Sequence, residues 1–225
     1  MTLDEIVAEL RAHGNAANVA GMARYGISPA GTLGVNIPTL RAIAKRAGRD
    51  HQLAQQLWDT GIHEARILAA MVDEPAKVTR RQMDRWAADF DSWDIVDGCC
   101  GTLFDKTPYA YAKAVQWSAS RREYVKRAGF VLMTQLAVHD KRAPDEAMLL
   151  FLPVIVRESD DERNFVKKAV NWAVRQIGKR NRRLNASAIA TAREILARDT
   201  RAGRWIARDA LRELTSEAVQ RRLKD

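Results

Sequence analysis

The sequence predicts an all-α fold in which antiparallel helix pairs stack into a superhelical solenoid, and it predicts a single domain over residues 1–225. Apolar residues recur with the helical period of about 3.6 along most of the chain, and no stretch alternates convincingly with the period of two that indicates a β-strand. The segments VKRAGFVL (125–132) and VKKAVNWA (166–173) share a Val-Lys-basic-Ala core 41 residues apart. That spacing fits helical-pair repeats of the HEAT-like or armadillo class, which recur about every 40–47 residues. Two copies leave a compact helical bundle open as the alternative.

Capping signals and apolar stripes predict the helices in chain order. The first helix opens at Thr2–Glu5, where Thr-Leu-Asp-Glu matches a capping box. Tyr25–Pro38 is the one long loop rich in glycine and proline, and no later stretch has the composition of a linker. Beyond the first helix, the periodicity predicts helices over residues 16–24, 38–48, 50–60, 62–72, 77–89, 91–105, 107–118, 121–137, 144–156, 162–179, 185–197 and 202–223.

The composition excludes several classes of protein. The chain is 47% hydrophobic and carries a net charge of +9, which suits a globular protein with an acidic partner, nucleic acid before an anionic membrane surface. No apolar run reaches the roughly 18 residues of a membrane-spanning helix. The acidic N-terminal segment MTLDEIVAEL differs from a secretory signal. We therefore expect a cytoplasmic protein that does not associate with a membrane.

Metal and cofactor chemistry is not expected either. The four histidines are scattered without the spacing of metal ligands. Cys99 and Cys100 are adjacent, so they cannot build a disulfide framework or a CxxC metal site, and we predict that they are core thiols. No nucleophile elbow, phosphate-binding loop or dinucleotide-binding motif is present. The sequence thus predicts neither a metal nor a cofactor.

A long basic window points to nucleic acid. No acidic residue occurs from Asn164 to Arg193. A solvated basic surface is the alternative, but the segment GKRNRR (178–183) crowds cations with no acid nearby in sequence, and a polyanion would relieve their repulsion. The candidate DNA-binding residues in this window are Lys168, Arg175, Lys179, Arg180, Arg182 and Arg183.

Two side chains are displaced from the apolar faces of their helices. Trp172 points about 120° away from the apolar stripe of its helix, toward the side of Lys168 and Arg175. It either lines a groove that binds a sugar, base or phosphodiester, or packs against an adjacent helix pair. Arg127 is displaced from its stripe in the same way, and the alternative for it is an ordinary surface arginine.

The sequence also places a carboxylate, Asp97, on the apolar side of a predicted helix. The segment SWDIVDGCCGTLFDK (92–106), read as a helix, places Asp97 one turn after Trp93 within an apolar stripe. Asp91 and Ser92 already occupy the capping positions, so Asp97 lies too deep in the helix to cap it. It is either half of a buried structural ion pair or a site carboxylate kept ionised by a nearby arginine. The second reading suits a reaction whose transition state develops positive charge.

Five segments together resemble a known family. They are MARYGISPAGTLGVNIPTLR (22–41), LWDTGIHEARILAAM (57–71), SWDIVD (92–97), YVKRAGFVLMTQ (124–135) and NFVKKAVNWAVRQIGK (164–179). In this order, from about Asn15 to Arg180, they resemble the bacterial alkylpurine DNA glycosylases built from HEAT-like repeats, the AlkD type. The loop Gly26–Gly34 has less aromatic character than the resemblance leads us to expect.

The resemblance implies a function and a partner. It implies excision of purines alkylated at N3 or N7 from double-stranded DNA, by a monomer in the bacterial cytoplasm near the nucleoid. The implied catalytic residues are Asp97, Trp93, Arg127 and Trp172, and Tyr25 is implied to contact DNA. Asp97 would stabilise the cationic sugar and position water, while Arg127 would orient Asp97 and hold a phosphate. The alternatives are a non-catalytic HEAT-repeat protein that recognises bent or branched DNA, and a protein–protein scaffold.

Overall fold

The computed structural model describes residues 1–224, and that part of the chain contains fifteen α-helices, two 3₁₀ turns and no β-strand. The predicted all-α class is therefore confirmed. The chain forms two compact units, Met1–Thr107 and a second that begins at Pro108. A single domain over residues 1–225 stays a prediction. No helix within the described residues is both long enough and apolar enough to cross a membrane.

The first unit is built around a central buried helix, α5. The helices are α1 (Leu3–Ala12), α2 (Ala16–Ala23), α3 (Ile37–Ala47), α4 (His51–Asp59), α5 (His63–Val72), α6 (Arg80–Ala88) and α7 (Trp93–Thr102), with 3₁₀ turns at Pro75–Lys77 and Phe104–Lys106. α5 packs against α3, α4 and α7. The predicted capping box opens α1, because the Thr2 hydroxyl accepts from the Glu5 N–H and the Glu5 carboxylate accepts from the Thr2 N–H.

Large aromatic side chains fill the core of the first unit. The indoles of Trp58 and Trp86 stack with their ring centroids 4.1 Å apart, and Phe104 packs against Trp86. Cys99 and Cys100 are fully buried and unbridged, as predicted, and burial raises the pKa of the Cys99 thiol well above its ordinary value. This environment does not activate the Cys99 thiol as a nucleophile.

The second unit carries the two related segments found in the sequence. Its helices are α8 (Ala110–Ser118), α9 (Glu123–His139), α10 (Asp145–Leu149), α11 (Leu152–Arg157), α12 (Asn164–Gly178), α13 (Arg182–Ala197), α14 (Arg201–Leu214) and α15 (Glu217–Gln220). VKRAGFVL lies in α9 and VKKAVNWA in α12, and these two helices pack directly on each other. α9 also packs closely on α8, where a Cβ on Gly129 would lie 2.4 Å from the Ser118 backbone nitrogen.

All predicted helices of the second unit differ somewhat in their bounds, and three of the differences have a clear local reason. The predicted helix 144–156 is split into α10 and α11, because Pro153 lacks an N–H and its ring would clash with the carbonyl of Leu149. The predicted helix 202–223 is interrupted because Ser216 caps α15. α13 begins at Arg182 rather than at 185, because the Asn181 side chain accepts from the Leu184 N–H at 2.8 Å.

Candidate functional site

α7 holds the candidate carboxylate in its second turn. The helix begins at Trp93, after Ser92 at the N-cap in extended conformation, so Asp97 lies beyond the capping positions. Trp93 and Asp97 are separated by one turn, which brings their Cβ atoms to about 5–6 Å. The fully buried face of α7 carries Val96 and Cys99, and Asp97 is half-buried at the edge of that face rather than within it.

Asp97 and Trp93 line a cavity of about 770 Å³ in the first unit. The same cavity is lined by Tyr25, which is 71% exposed. The Trp93 Nε1 donates to the Tyr25 carbonyl oxygen at 3.1 Å, and this bond ties the start of the long loop to α7. The structure therefore brings three of the predicted site residues together, Tyr25, Trp93 and Asp97.

A buried glutamate holds the long loop against this cavity. Glu64 on α5 is only 1% exposed, and its carboxylate accepts from three consecutive backbone N–H groups, those of Leu33 (2.9 Å), Gly34 (2.6 Å) and Val35 (3.3 Å). Gly34 has a φ of +80°, and a Cβ there would lie 2.3 Å from the Asn15 carbonyl oxygen. This position requires glycine for both reasons. Gly34 thus allows the backbone conformation that binds the Glu64 carboxylate.

A histidine–aspartate pair lies beside Asp97 on the cavity wall. The His63 Nε2 is 2.8 Å from the Asp94 Oδ2, and His63 is 5% exposed. Burial lowers the pKa of His63, but the hydrogen bond and charge of Asp94 outweigh it, so this pKa is raised above 6.5. Burial raises the pKa of Asp94, but its hydrogen bond with His63 lowers it more, and the net pKa is below 3.8. The pair thus favours an ionised carboxylate and a protonated imidazole.

Arg127 lies in the second unit and is buried. It is 6% exposed, and its Nη1 donates to the Phe165 carbonyl oxygen in the first turn of α12 at 2.7 Å. The alternative of an ordinary surface arginine is therefore wrong. Arg127 links α9 to α12, the two helices that carry the related segments.

Trp172 occupies the border of the buried face of α12. The predicted apolar stripe of this helix, which includes Val166, Val170 and Ile177, is fully buried, whereas Trp172 is half-buried. With the Gln176 amide oriented to satisfy its neighbours, its oxygen accepts from the Trp172 Nε1 at 3.2 Å. The indole thus keeps a polar neighbour one turn away.

Acidic residues from distant parts of the chain form ion pairs with cations of the basic segment Asn164–Arg193. The carboxylate of Glu213 pairs with Arg175 at 2.5 Å and with Lys179 at 2.7 Å, and Glu146 pairs with Arg183 at 2.8 Å. Within the segment 178–183, the expectation of unrelieved repulsion is wrong for Lys179 and Arg183. Sequence proximity could not reveal the pairs, because each acid is more than 30 residues from its cation.

The remaining candidates of this window differ in exposure. Arg180 donates to the carbonyl oxygens of Ala137, Asp140 and Ala143 at 2.9–3.1 Å, so its guanidinium holds the end of α9 and the loop that follows. Lys168 on α12 is exposed, and so is Arg182 in the first turn of α13. DNA binding by the six basic candidates stays a prediction, and Lys168 and Arg182 are placed best for it.

Comparisons with known proteins identify the family. A family model for DNA alkylation repair enzymes matches residues 6–214. The chain belongs to the DNA alkylation repair enzyme family. An uncharacterized Listeria innocua protein, Lin0241, is 24% identical over 154 residues, 67% of each chain.

A solved structure shows the fold. It comes from a family described as related to the HEAT-like repeat DNA glycosylases with affinity for branched DNA structures. It superposes with a TM-score of 0.76 at 22% identity, covering 86% of this chain and 83% of that one. The predicted HEAT-like helical-repeat fold is therefore confirmed, as is the resemblance to this group of proteins.

Sequence reasoning missed three residues of this site in the first unit. Glu64, His63 and Asp94 all line the cavity, but their partners lie about 30 residues away in the chain. The one usable signal was the position of Asp94 inside SWDIVD, directly after Trp93. His63 and Glu64 had no distinguishing pattern, because each gains its role only through a tertiary contact.

Proposed function

We propose that this alkylation repair protein is a monofunctional DNA glycosylase that excises purines alkylated at N3 or N7 from duplex DNA. The observation that carries the proposal is the Asp97 carboxylate, half-buried one turn after Trp93 on the wall of a cavity. Such a placement keeps a negative charge fixed beside a surface that can contact a sugar.

The chemistry needs a fixed negative charge more than an acid. An N3- or N7-alkylated purine is cationic, so the bond between C1′ and the purine nitrogen breaks with its electron pair leaving on a base that becomes neutral. Positive charge then develops on the deoxyribose as an oxocarbenium ion. Asp97 stabilises this charge more strongly than it stabilises the ground state, which lowers the barrier. The oxygen of a water positioned by Asp97 bonds to C1′, and the proton that this water loses passes to bulk solvent.

The aromatic and basic residues act on the sugar–phosphate backbone in this proposal. Trp93 and Tyr25 offer rings to the C–H groups of the sugar, which the developing charge polarises. Arg127 and Trp172 enter through the sequence resemblance, Arg127 to hold a phosphate and Trp172 to press on the backbone. Lys168 and Arg182 supply exposed positive charge for non-specific attraction to DNA. As part of the same proposal, the protein works as a monomer near the chromosome in the bacterial cytoplasm.

Release of 7-methylguanine from a duplex tests the proposal. Wild-type protein should free the base, and Asp97→Asn should lower the single-turnover rate by about 100-fold or more. Asp91→Asn is the matched control, because Asp91 is an exposed carboxylate just before the same helix, and it should release base at the wild-type rate. A wild-type protein that frees no base, or an Asp97→Asn variant as fast as wild type, contradicts the proposal.

Binding of branched DNA without excision is the second candidate. It is favoured by the structural neighbour, whose family is described as having affinity for branched DNA structures. In that case the protein binds a four-way junction more tightly than a linear duplex of equal length at the same ionic strength. The binding would fall steeply with salt, would not change in Asp97→Asn, and would release no base.

A further inference from the structure

α14 presents a second basic face that includes an exposed indole. Arg201, Arg204, Arg208 and Arg212 recur at helical spacing, and with Trp205 they fall within an arc of about 100° around the helix axis. We call these five residues the α14 arginine face. The opposite side of the helix is fully buried and consists of Ala202, Gly203, Ile206, Ala207, Ala210 and Leu214. The burial pattern therefore places the arginine face toward solvent.

The α14 arginine face carries more positive charge than the nearby acidic residues neutralise. Arg204 pairs with Asp199 at 2.8 Å and Arg212 pairs with Asp209. Arg201 and Arg208 are exposed and form no ion pair among the described residues. With no internal partner, these two guanidinium groups are available to an external anion.

Trp205 and its neighbour give the face an aromatic surface. The indole is 42% exposed, and the Lys167 Nζ lies 5.3 Å from its ring centroid. This cation–π contact orients the ring and adds a fifth cation beside the four arginines. An exposed aromatic ring among cations is the combination that packs on a sugar or base while the charges bind phosphates.

The face continues the predicted DNA-binding side of α12. The Arg175 Nε lies 3.7 Å from the Asp209 Oδ2, and Glu213 of α14 pairs with both Arg175 and Lys179. α12 and α14 pack directly on each other within the second unit. A polyanion that reaches the cations of α12 therefore also meets the α14 arginine face.

We propose that the α14 arginine face binds the sugar–phosphate backbone of DNA, with Arg201 and Arg208 on phosphates and Trp205 against a deoxyribose. The inference rests on the proposed action on DNA. From Arg201 to Arg212 the face extends about 16 Å, long enough for several phosphates along a duplex. Arginine suits this role because its planar guanidinium binds a phosphate with two N–H groups. An anionic membrane fits less well, because the apolar side of α14 is buried in the core and cannot enter lipid.

Fluorescence anisotropy with an undamaged, labelled linear duplex at several salt concentrations tests this binding surface. Arg201→Ala/Arg208→Ala should weaken binding by about 10-fold and lower the slope of log K against log salt by up to about 2, because each phosphate contact contributes about 0.9. Arg201→Lys/Arg208→Lys should recover most of the slope. Trp205→Ala should weaken binding several-fold while leaving the slope unchanged.

The matched control removes two exposed arginines from the other unit. Arg80→Ala/Arg81→Ala on α6 deletes the same net charge and should change affinity by less than about twofold. Thermal unfolding of all variants shows whether they are folded, and the lysine variant keeps the test valid if the alanine variant is not. Wild-type affinity and slope in Arg201→Ala/Arg208→Ala overturn the inference. An equal loss of DNA affinity in the α6 control also overturns it. If Arg201→Ala/Arg208→Ala loses binding to phosphatidylserine vesicles but binds DNA as wild type does, the inference is overturned as well.

Base release by wild-type protein separates this inference from the proposed function. Release of 7-methylguanine without any effect of the α14 variants on DNA binding refutes the inference alone. Binding that depends on α14, in a protein that releases no base, supports the inference and refutes excision. A wild-type protein that does not bind DNA at all refutes both.

Discussion

α7 in the first unit and α12 in the second share one local arrangement but differ in the charged groups around it. Each helix has a half-buried tryptophan with a polar residue one turn later, Trp93 with Asp97 and Trp172 with Gln176. Around α7 the charged groups on the cavity wall are the acids Glu64, Asp94 and Asp97 together with Arg41 and His63, so acids outnumber cations. Around α12 the charged groups include Arg175 and Lys179, which pair with Glu213 of α14, and the exposed Lys168.

The difference shows that helical geometry alone does not assign a role. Both helices present an indole at the edge of a buried face, and the spacing of the two residues is identical. What separates them is the charge of the nearby side chains, mostly acids on the cavity wall at α7 and mostly the cations of α12 itself, so we expect carboxylate chemistry at α7 and phosphate binding at α12. We therefore expect changes at α7 to affect the rate of excision and changes at α12 to affect DNA affinity.

The largest expected effect is on the excision rate, when the carboxylate on α7 is replaced. Asp97→Asn makes the pair on α7 resemble the Trp172–Gln176 pair, with an amide in place of the carboxylate. We expect the excision rate to fall by about 100-fold or more, while the Kd for duplex DNA changes by less than about twofold. Single-turnover kinetics and anisotropy on the same substrate measure both. A loss confined to Kd would mean that the two helices share one role.

Loss of the Glu64 carboxylate, which holds the long loop, should have the next largest effect. Glu64→Gln replaces a buried carboxylate that accepts from three backbone N–H groups, and we expect about 2–3 kcal/mol less stability, measured by urea unfolding. Excision should slow as well, because the loop carries Tyr25, whose carbonyl binds Trp93. Glu217→Gln is the control, since Glu217 is 75% exposed. An equal free energy of unfolding in the two variants would show that the Glu64 carboxylate does not stabilise the fold.

Removing exposed cations from α12 and the start of α13 should have a smaller effect, on DNA affinity. Lys168→Ala/Arg182→Ala removes two exposed cations of the second unit, and we expect the Kd for duplex DNA to rise about 10-fold with a shallower salt dependence. Anisotropy at several salt concentrations measures both quantities. If the variant binds DNA as tightly as wild type across the salt range, the basic window is only a solvated surface.

The smallest expected effect concerns the pH dependence of the His63–Asp94 pair. The raised pKa of His63 means that the pair stabilises the fold fully below pH 6.5 and that this contribution is lost as pH rises through the raised value. The lowered pKa of Asp94 means that its contribution is present above pH 3.8 and is lost at lower pH. His63→Gln should therefore lower the Tm more at pH 5.5 than at pH 8.5. An identical difference in Tm at both pH values would rule out this contribution.

The class of fold and the position of the candidate carboxylate could both be predicted from the amino-acid sequence. The helical period predicted the all-α structure, the 41-residue spacing predicted that α9 and α12 are related, and the apolar stripe of α12 is buried as expected. The spacing of Trp93 and Asp97 within one helix was also readable. These features are local, because they depend on residues within one or two turns of each other.

Which groups contact these residues depends on how helices distant in the chain pack together. Glu64 reaches the loop from 30 residues away, His63 reaches Asp94 across 31, and Glu213 neutralises Lys179 across 34. The burial of Arg127 depends likewise on the helices that surround α9. Periodicity reports which side of a helix is buried, but it contains no information about which helix covers that side or what charge it brings. The electrostatics of the candidate site therefore arise from packing, whereas its backbone positions arise from the local sequence.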